Sequence, residues 1–231
     1  ARERETRVAE ALARLPELEA IKRRQGKAAD QARASTTDAQ ATVMKMGDGG
    51  FRPAYNPQLA SDVDSLVIVG VEVATIGSDQ GQMVPMIEQV RERCGQTPEA
   101  WLVDGGFVGH EQVEQASAHT TVYGPVPAAK DKAVDPHQPK PDDSPGVAAW
   151  RARMGTDEAK AIYKNRAATA ECVNAHSRNR GLQQFRVRGL AKVKCVVLFF
   201  ALAHNLMRMA SLAPEMLAFG KGASAVSGIG A

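Results

Sequence analysis

The sequence predicts an α/β protein, a mixed sheet flanked by helices and preceded by an amino-terminal helical segment. Three stretches carry that prediction. Leu66 to Thr75, LVIVGVEVAT, is β-branched and long enough for a central strand; it follows Asn56 to Asp62 through a tight turn at Asp62 to Ser65, which makes a hairpin. Ala100 to Tyr123 runs from a short apolar strand through Asp104, Gly105 and Gly106 into an amphipathic stretch, His110 to Ala118, and then a second strand at Thr120 to Tyr123. Gly189 to Leu212 repeats apolar residues at helical spacing, with Val193, Val196, Val197, Phe200, Leu202 and Leu206 expected to pack on the sheet.

The remaining elements follow in chain order. Arg2 to Ala29 is rich in Ala, Glu, Arg and Leu, and its apolar residues recur on a near-helical period. Two readings fit Pro16: two helices that meet there, or one helix kinked there. Residues 1–33 thus form a helical segment, a possible inserted hairpin, with interspersed charges of a solvated face. Ala34 to Pro57 is expected to be a loop, with Gly49 and Gly50 as turn residues. Ser78 to Gly95 reads as a helix with Asp79 near its start, an apolar stripe of Met83, Met86, Ile87 and Val90, and Gly95 as its stop. Six prolines between Pro125 and Pro145 mark an exposed linker within a core spanning 34–212. Gly181 to Arg188 is a turn with a possible edge strand, and residues 213–231 read as a flexible tail.

Composition narrows the class. A chain of 231 residues, 44% hydrophobic and 24% charged, supports one sizeable core. The most apolar piece, Val196 to Leu202, falls short of the ~18 residues a membrane span needs, so a soluble protein is expected. Three widely spaced cysteines exclude a disulfide framework and the familiar zinc spacings, and fit a reducing cytoplasm. With Ala1 first and no signal pattern, the chain reads as a piece of a longer one. The net charge of +3 is mild, but its distribution is not: Lys160 to Lys194 holds nine Lys or Arg and one acid, Glu171.

That acid lies in the stretch hardest to explain as scaffolding. On a helix over Tyr163 to Arg178, the residues Tyr163, Arg166, Glu171, Asn174 and Arg178 share an arc of roughly 140°. Ala161, Ala168, Cys172 and Ala175 then form a side suited to close packing. A solvated helix usually alternates its charges for i,i+4 support. One carboxylate in a field of cations instead suits a metal ligand beside an anion-binding surface. Its expected partner is Asp104, which follows an apolar strand and precedes two glycines, at the strand end where α/β sheets bind ligands. Two carboxylates can hold Mg²⁺ (or Mn²⁺), and a pair of such ions serves phosphodiester chemistry.

STTD (Ser35 to Asp38), FRPAYNPQLASD (Phe51 to Asp62), SDQGQMVPM (Ser78 to Met86), LVDGGF (Leu102 to Phe107) and YKNRAATAE (Tyr163 to Glu171) occur in this order. Together with the Pro-rich interval, they resemble the DDE transposases of bacterial insertion sequences, over about Ser35 to Leu212. The resemblance implies an RNase H-like core, with Asp104 as second and Glu171 as third catalytic and metal-binding acid. It also implies Mg²⁺-dependent cleavage and strand transfer at transposon ends, double-stranded DNA as partner, a homo-oligomer in the active complex, and a bacterial cytoplasm near the nucleoid.

The family's Tyr, Arg, Glu, Lys signature is met with two departures: one extra residue between Arg166 and Glu171, and Arg178 in place of Lys. Tyr163, Arg166 and Arg178 would grip phosphate, with Arg180, Arg186, Arg188, Lys192 and Lys194 extending the DNA-binding surface. The first catalytic Asp is not evident. Asp48, Asp62, Asp64 and Asp79 sit in loops, turns or a helix start, so the expectation is a core without its first strand and a chain inactive alone. A DNA-binding remnant without catalysis, and a nuclease or integrase of another RNase H-like branch, are the competing readings.

Overall fold

The computed structural model describes residues 2–24 and 26–214. Helix α1, Arg2–Arg24, is one continuous helix through Pro16, so the reading of two meeting helices is set aside. Glu3 and Glu5 in its first turn and Lys22, Arg23 and Arg24 in its last oppose the helix dipole favourably. Only Ala11 and Leu18 of this helix are buried, and Arg14 ties it down by donating to the Ala39 carbonyl at 2.8 Å.

The predicted mixed sheet is not continuous. Among the described residues it appears as three two-stranded pieces. Strands β1 (Thr42–Lys45) and β2 (Phe51–Ala54) form an antiparallel hairpin inside the expected loop. The Gly-rich turn and Pro53 hid it, because proline cannot donate to a ladder and is tolerated only at an edge. Strands β3 (Asn56–Ser61) and β4 (Ile68–Ala74) form the expected hairpin, and Leu66 takes a left-handed φ of 59° in its loop. Strands β5 (Ala100–Leu102) and β6 (Thr121–Tyr123) pair in parallel, joined by α3, His110–Ser117.

Helix α2 is Met83–Cys94 and buries the expected stripe of Met83, Met86, Ile87 and Val90, with Gly95 at φ 70° as its C-cap. It starts five residues later than the sequence suggests. Gly81 (φ 82°) turns the chain first, so Asp79 lies in a loop instead of at a helix start. β4 packs against α2 at Gly70, where any Cβ would come within 2.5 Å of Met86 Sδ. Helix α4, Pro145–Met154, begins with proline in its first turn and was not foreseen. Helix α5, Asp157–Asn179, is capped by Thr156 Oγ1, which accepts from the Ala159 amide at 3.2 Å. Residues 181–188 form turns without the possible edge strand.

Two apolar cores result. One gathers Met83, Ile87, Val113, Val122, Val147, Trp150, Met154 and Ala159 from α2, α3, β6, α4 and α5. The other gathers Tyr55, Ile68, Val71, Val73, Val173, Val193, Val197 and Ala201 around β4, α5 and α6, the helix Leu190–Leu212. Helix α5 belongs to both, through Ala159 at one end and Val173 at the other. Its buried residues are Ala159, Thr169, Val173 and Ser177, whereas Ala161, Ala168 and Ala175 are exposed and Cys172 is half-buried. The small-residue side expected to face the core therefore faces outward. Larger hydrophobic groups fix the helix phase, and alanines alone bury too little area to do so.

Helix α6 corrects two expectations. Val193 and Val197 are buried, but Leu202 and Leu206 are exposed, at 54% and 46%, on the face turned away from β4. The helix is also long and apolar enough to cross a membrane by length and composition, which a search for an unbroken apolar run misses. Its amino terminus is capped from far upstream. Asp38 Oδ2 accepts from the Gly189 amide at 2.9 Å and from Tyr55 Oη at 2.8 Å, while Gln40 Oε1 accepts from the Leu190 amide at 2.7 Å. Burial, followed by the hydrogen bond to Asp38, pushes the Tyr55 phenol well above its ordinary pKa. The predicted tail, 213–231, falls almost wholly outside the described residues.

The Pro-rich interval is irregular but tied down at its end. Asp143 meets Arg151 Nε at 2.7 Å with both side chains at most 5% exposed, and Arg151 also donates to the Pro136 carbonyl at 3.1 Å. Burial pushes the Asp143 carboxyl upward. The Lys140 amide and Arg151 outweigh it and hold the group below its ordinary 3.8. A depressed carboxylate contributes stability that is complete above its unfolded value and lost as pH falls through the folded one. The stability difference between the parent and Asp143→Asn, measured by urea unfolding, will therefore be constant above pH 3.8 and shrink below it. Trp150 is fully buried and its indole donates to the Gly124 carbonyl at 3.1 Å. Trp150→Ala will cost about 3–5 kcal/mol in the same measurement.

Candidate functional site

Among the described residues no strand pairs with the facing edges of β3 and β5, and a cavity of about 910 Å³ lies between them. Every residue of β3 and of β5 lines it. Met83, Met86, Val90 and Cys94 of α2 contribute to the lining, as do Arg166, Thr169, Ala170, Asn174, Ser177 and Arg178 of α5. The start of β3 and the end of β5 share one end of this slot, because Asp79 bonds Asn56 and Gln58 there and also approaches Asp104. The two strands thus run in opposite directions along its sides.

Asp104 stands just beyond β5 at that end. Its Oδ1 accepts from the Gly106 amide at 2.9 Å, and its Oδ2 accepts from Arg166 Nη2 at 3.1 Å. The Asp104 side chain is 41% exposed and Arg166 27%, so this ion pair borders solvent and contributes little to stability. Tyr163 lies half-buried near both, and burial raises its phenol pKa, which Arg166 lowers and Asp104 raises. Asp79 is a further carboxylate beside this end of the slot. An ideal Cβ on Gly106 would lie 3.0 Å from Asp79 Oδ2 and 3.1 Å from Asp104 Oδ1, so these oxygens are separated by no more than the sum of the two.

Glu171 is placed differently from Arg166. It is exposed, does not line the cavity, and makes no hydrogen bond or ion pair with another described residue. Five residues along a helix bring a rotation of about 140° and an advance of about 7.5 Å, so Arg166 and Glu171 cannot reach one point from a single helix phase. No three His, Cys, Asp or Glu side chains converge anywhere among the described residues.

The cationic residues divide into three groups. Arg166 and Arg178 line the cavity, whereas Arg180, Arg186, Arg188 and Lys192 are exposed on the end of α5, the turns after it and the start of α6. Lys194 is engaged, with Nζ 2.8 Å from Glu72 Oε2. The structure also groups Asp79 with Asn56, Gln58 and Gly106, which the sequence does not bring together: SDQGQ, whose second residue is Asp79, reads there as the start of α2.

The family model described as Transposase DDE domain matches residues 137–210, which run from the end of the Pro-rich interval through α4 and α5 into α6. Comparison with curated proteins and with solved structures finds no match. The matched segment contains Tyr163, Arg166, Glu171 and Arg178 in one helix, and over these residues the chain is similar to a transposase DDE domain.

Proposed function

We propose that residues 34–212 form the larger part of an RNase H-like transposase core, and that the slot between β3 and β5 receives one further extended strand bearing the first catalytic acid. The slot is the observation that carries this reading. Two unpaired edges running in opposite directions can both be satisfied by a single strand, parallel to β5 and antiparallel to β3. Such a strand would end beside Asp104, at the carboxyl edge where open α/β sheets bind ligands. Asp104, that acid and Glu171 would be the three carboxylates. A divalent ion such as Mg²⁺ or Mn²⁺ would supply an activated water or 3′-hydroxyl and offset charge on the leaving oxygen of a phosphodiester.

The donor set present fits such an ion in part. Asp104 offers oxygen at an open cavity end, and Gly106 leaves room in front of it. Glu171 reaches the same point only after α5 changes phase, a movement consistent with Thr169, Ala170 and Ser177 gaining a strand to pack against. In its current phase, α5 directs Arg166 onto Asp104, pairing the two side chains at 3.1 Å. On DNA, Arg166 and Arg178 would exchange onto phosphate, with Arg180, Arg186, Arg188 and Lys192 following the backbone outward. Residues 1–33 would stand as a helical insertion outside the catalytic core. A transposase acting on paired ends would work as an oligomer. The engagement of Asp104 by Arg166 equally suits a remnant that binds DNA without cutting it.

Two measurements separate these outcomes. Fluorescence anisotropy with a short duplex will give a logarithm of affinity that falls with the logarithm of salt at a slope near about −4 to −5, for about five phosphate contacts. Arg178→Ala with Arg180→Ala will lower that slope by about two, and a flat dependence would remove DNA binding altogether. With Mg²⁺ present, the 231-residue chain will cut plasmid DNA weakly or not at all. A longer polypeptide with an Asp-bearing strand will cut it and slow amide exchange at 56–61 and 100–102. Cleavage without protection of those edges would refute the slot as the strand's seat, and strong cleavage by the short chain would refute the need for a further acid.

A further inference from the structure

We propose that Asp79 is an additional oxygen donor to the divalent cation of this site, facing Asp104 across Gly106. The inference rests on the transposase reading above and names a ligand that the DDE acids do not include. Asp79 is held by a dedicated scaffold. Its Oδ1 accepts from Asn56 Nδ2 at 2.8 Å and from Gln58 Nε2 at 2.7 Å, and Gln58 is only 5% exposed. A buried amide bonded to a carboxylate fixes that group's orientation, because turning away would leave the buried donor unpaired. With Oδ1 fixed on β3, Oδ2 is the oxygen turned toward Gly106 and Asp104.

The space between the two carboxylates exists because residue 106 has no side chain. A Cβ there would press on Asp79 Oδ2 and Asp104 Oδ1 at 3.0 and 3.1 Å, closer than ordinary van der Waals contact, so glycine keeps the gap open. Its backbone does not have a positive φ, and conformational freedom alone therefore does not account for the glycine. Two carboxylates face this gap with one guanidinium, Arg166, as the counter-charge in contact. The excess is negative. Mg²⁺ takes one or two carboxylates at about 2.0–2.1 Å and keeps several waters, so facing oxygens at this spacing can meet it directly or through a water.

The test uses the 231-residue chain and Mn²⁺, followed by the loss of the free-ion EPR signal, with thermal melting as the fold control. Asp79→Asn and Gly106→Ala will each weaken Mn²⁺ binding about 10-fold or more. Asp104→Asn will do the same, and Asp62→Asn, at the other end of the slot, will leave it unchanged. Binding in Asp79→Asn within about two-fold of the parent, with Asp104→Asn impaired as such ligand losses require, overturns the role of Asp79 and leaves the reading of Asp104 standing. Unaltered binding in Gly106→Ala also overturns it, because the ion would then not lie between the two carboxylates. Absence of Mn²⁺ binding by the parent removes both this ligand and the metal site on which it depends.

Discussion

The backbone hydrogen-bonding groups along β3 and β5 need partners, and among the described residues no strand pairs with these two facing edges. A two-stranded ribbon is marginal by itself and persists only when packed on other elements. Here β3 and β4 pack on α2 and α6, while β5 and β6 are wrapped by α2, α3 and α4. The β3–β4 and β5–β6 pieces thus pack as two halves on either side of the cavity lined by β3 and β5. Helix α2 contacts both halves through Met83 and Met86, and α5 ties the two cores together through Ala159 and Val173. These bridges keep the edges facing each other.

The charges near Asp104 follow from this arrangement. The phase in which α5 buries Val173 and Ser177 points Arg166 into the cavity and leaves Glu171 exposed. The Arg166 guanidinium compensates the charge of Asp104 through a single ion pair at 3.1 Å. Asp79 obeys a different constraint. It is fixed from β3, independently of α5, by Asn56 and Gln58. The site accordingly has a rigid half, made by β3, the Asp79 loop and the end of β5, and a half carried on α5.

Much of the fold was legible because local patterning and turn chemistry agreed. The β3–β4 hairpin, the strand–helix–strand unit ending at Tyr123, Gly95 as a C-cap and α6 all follow from periodicity and punctuation. The β1–β2 hairpin was not legible, since a Pro-bearing edge strand after a Gly-rich turn lacks a period-two signal. The phase of α5 was misjudged for a related reason. Counting charges selected Glu171 and the alanines as informative, but the helix is oriented by Val173 and by small polar residues, Thr169 and Ser177, that can be buried because their hydroxyls bond backward to the Asn165 and Val173 carbonyls. The position of Asp104 directly after a strand is legible in the sequence. The contacts of Asp79 with Asn56, Gln58 and Gly106 are not, because these residues are distant from Asp79 in sequence.

Helix α6 shows how composition and position can diverge. By length and apolar content it matches a membrane-crossing helix, yet its polar residues are used against the hairpin. Asn205 accepts from the Ile68 amide at 2.8 Å and donates to the Ile68 carbonyl at 2.7 Å, at the start of β4 where the ladder shifts register opposite Ser61. His204 Nε2 lies 2.8 Å from the Leu66 carbonyl, and Arg208 donates to the Ser65 carbonyl at 2.7 Å. Burial depresses the His204 pKa, so the neutral imidazole donates that bond. Together these contacts satisfy the backbone of the β3–β4 turn, which the ladder itself leaves open. A helix held in this way fixes β4, and through β4 it fixes β3 as one wall of the slot.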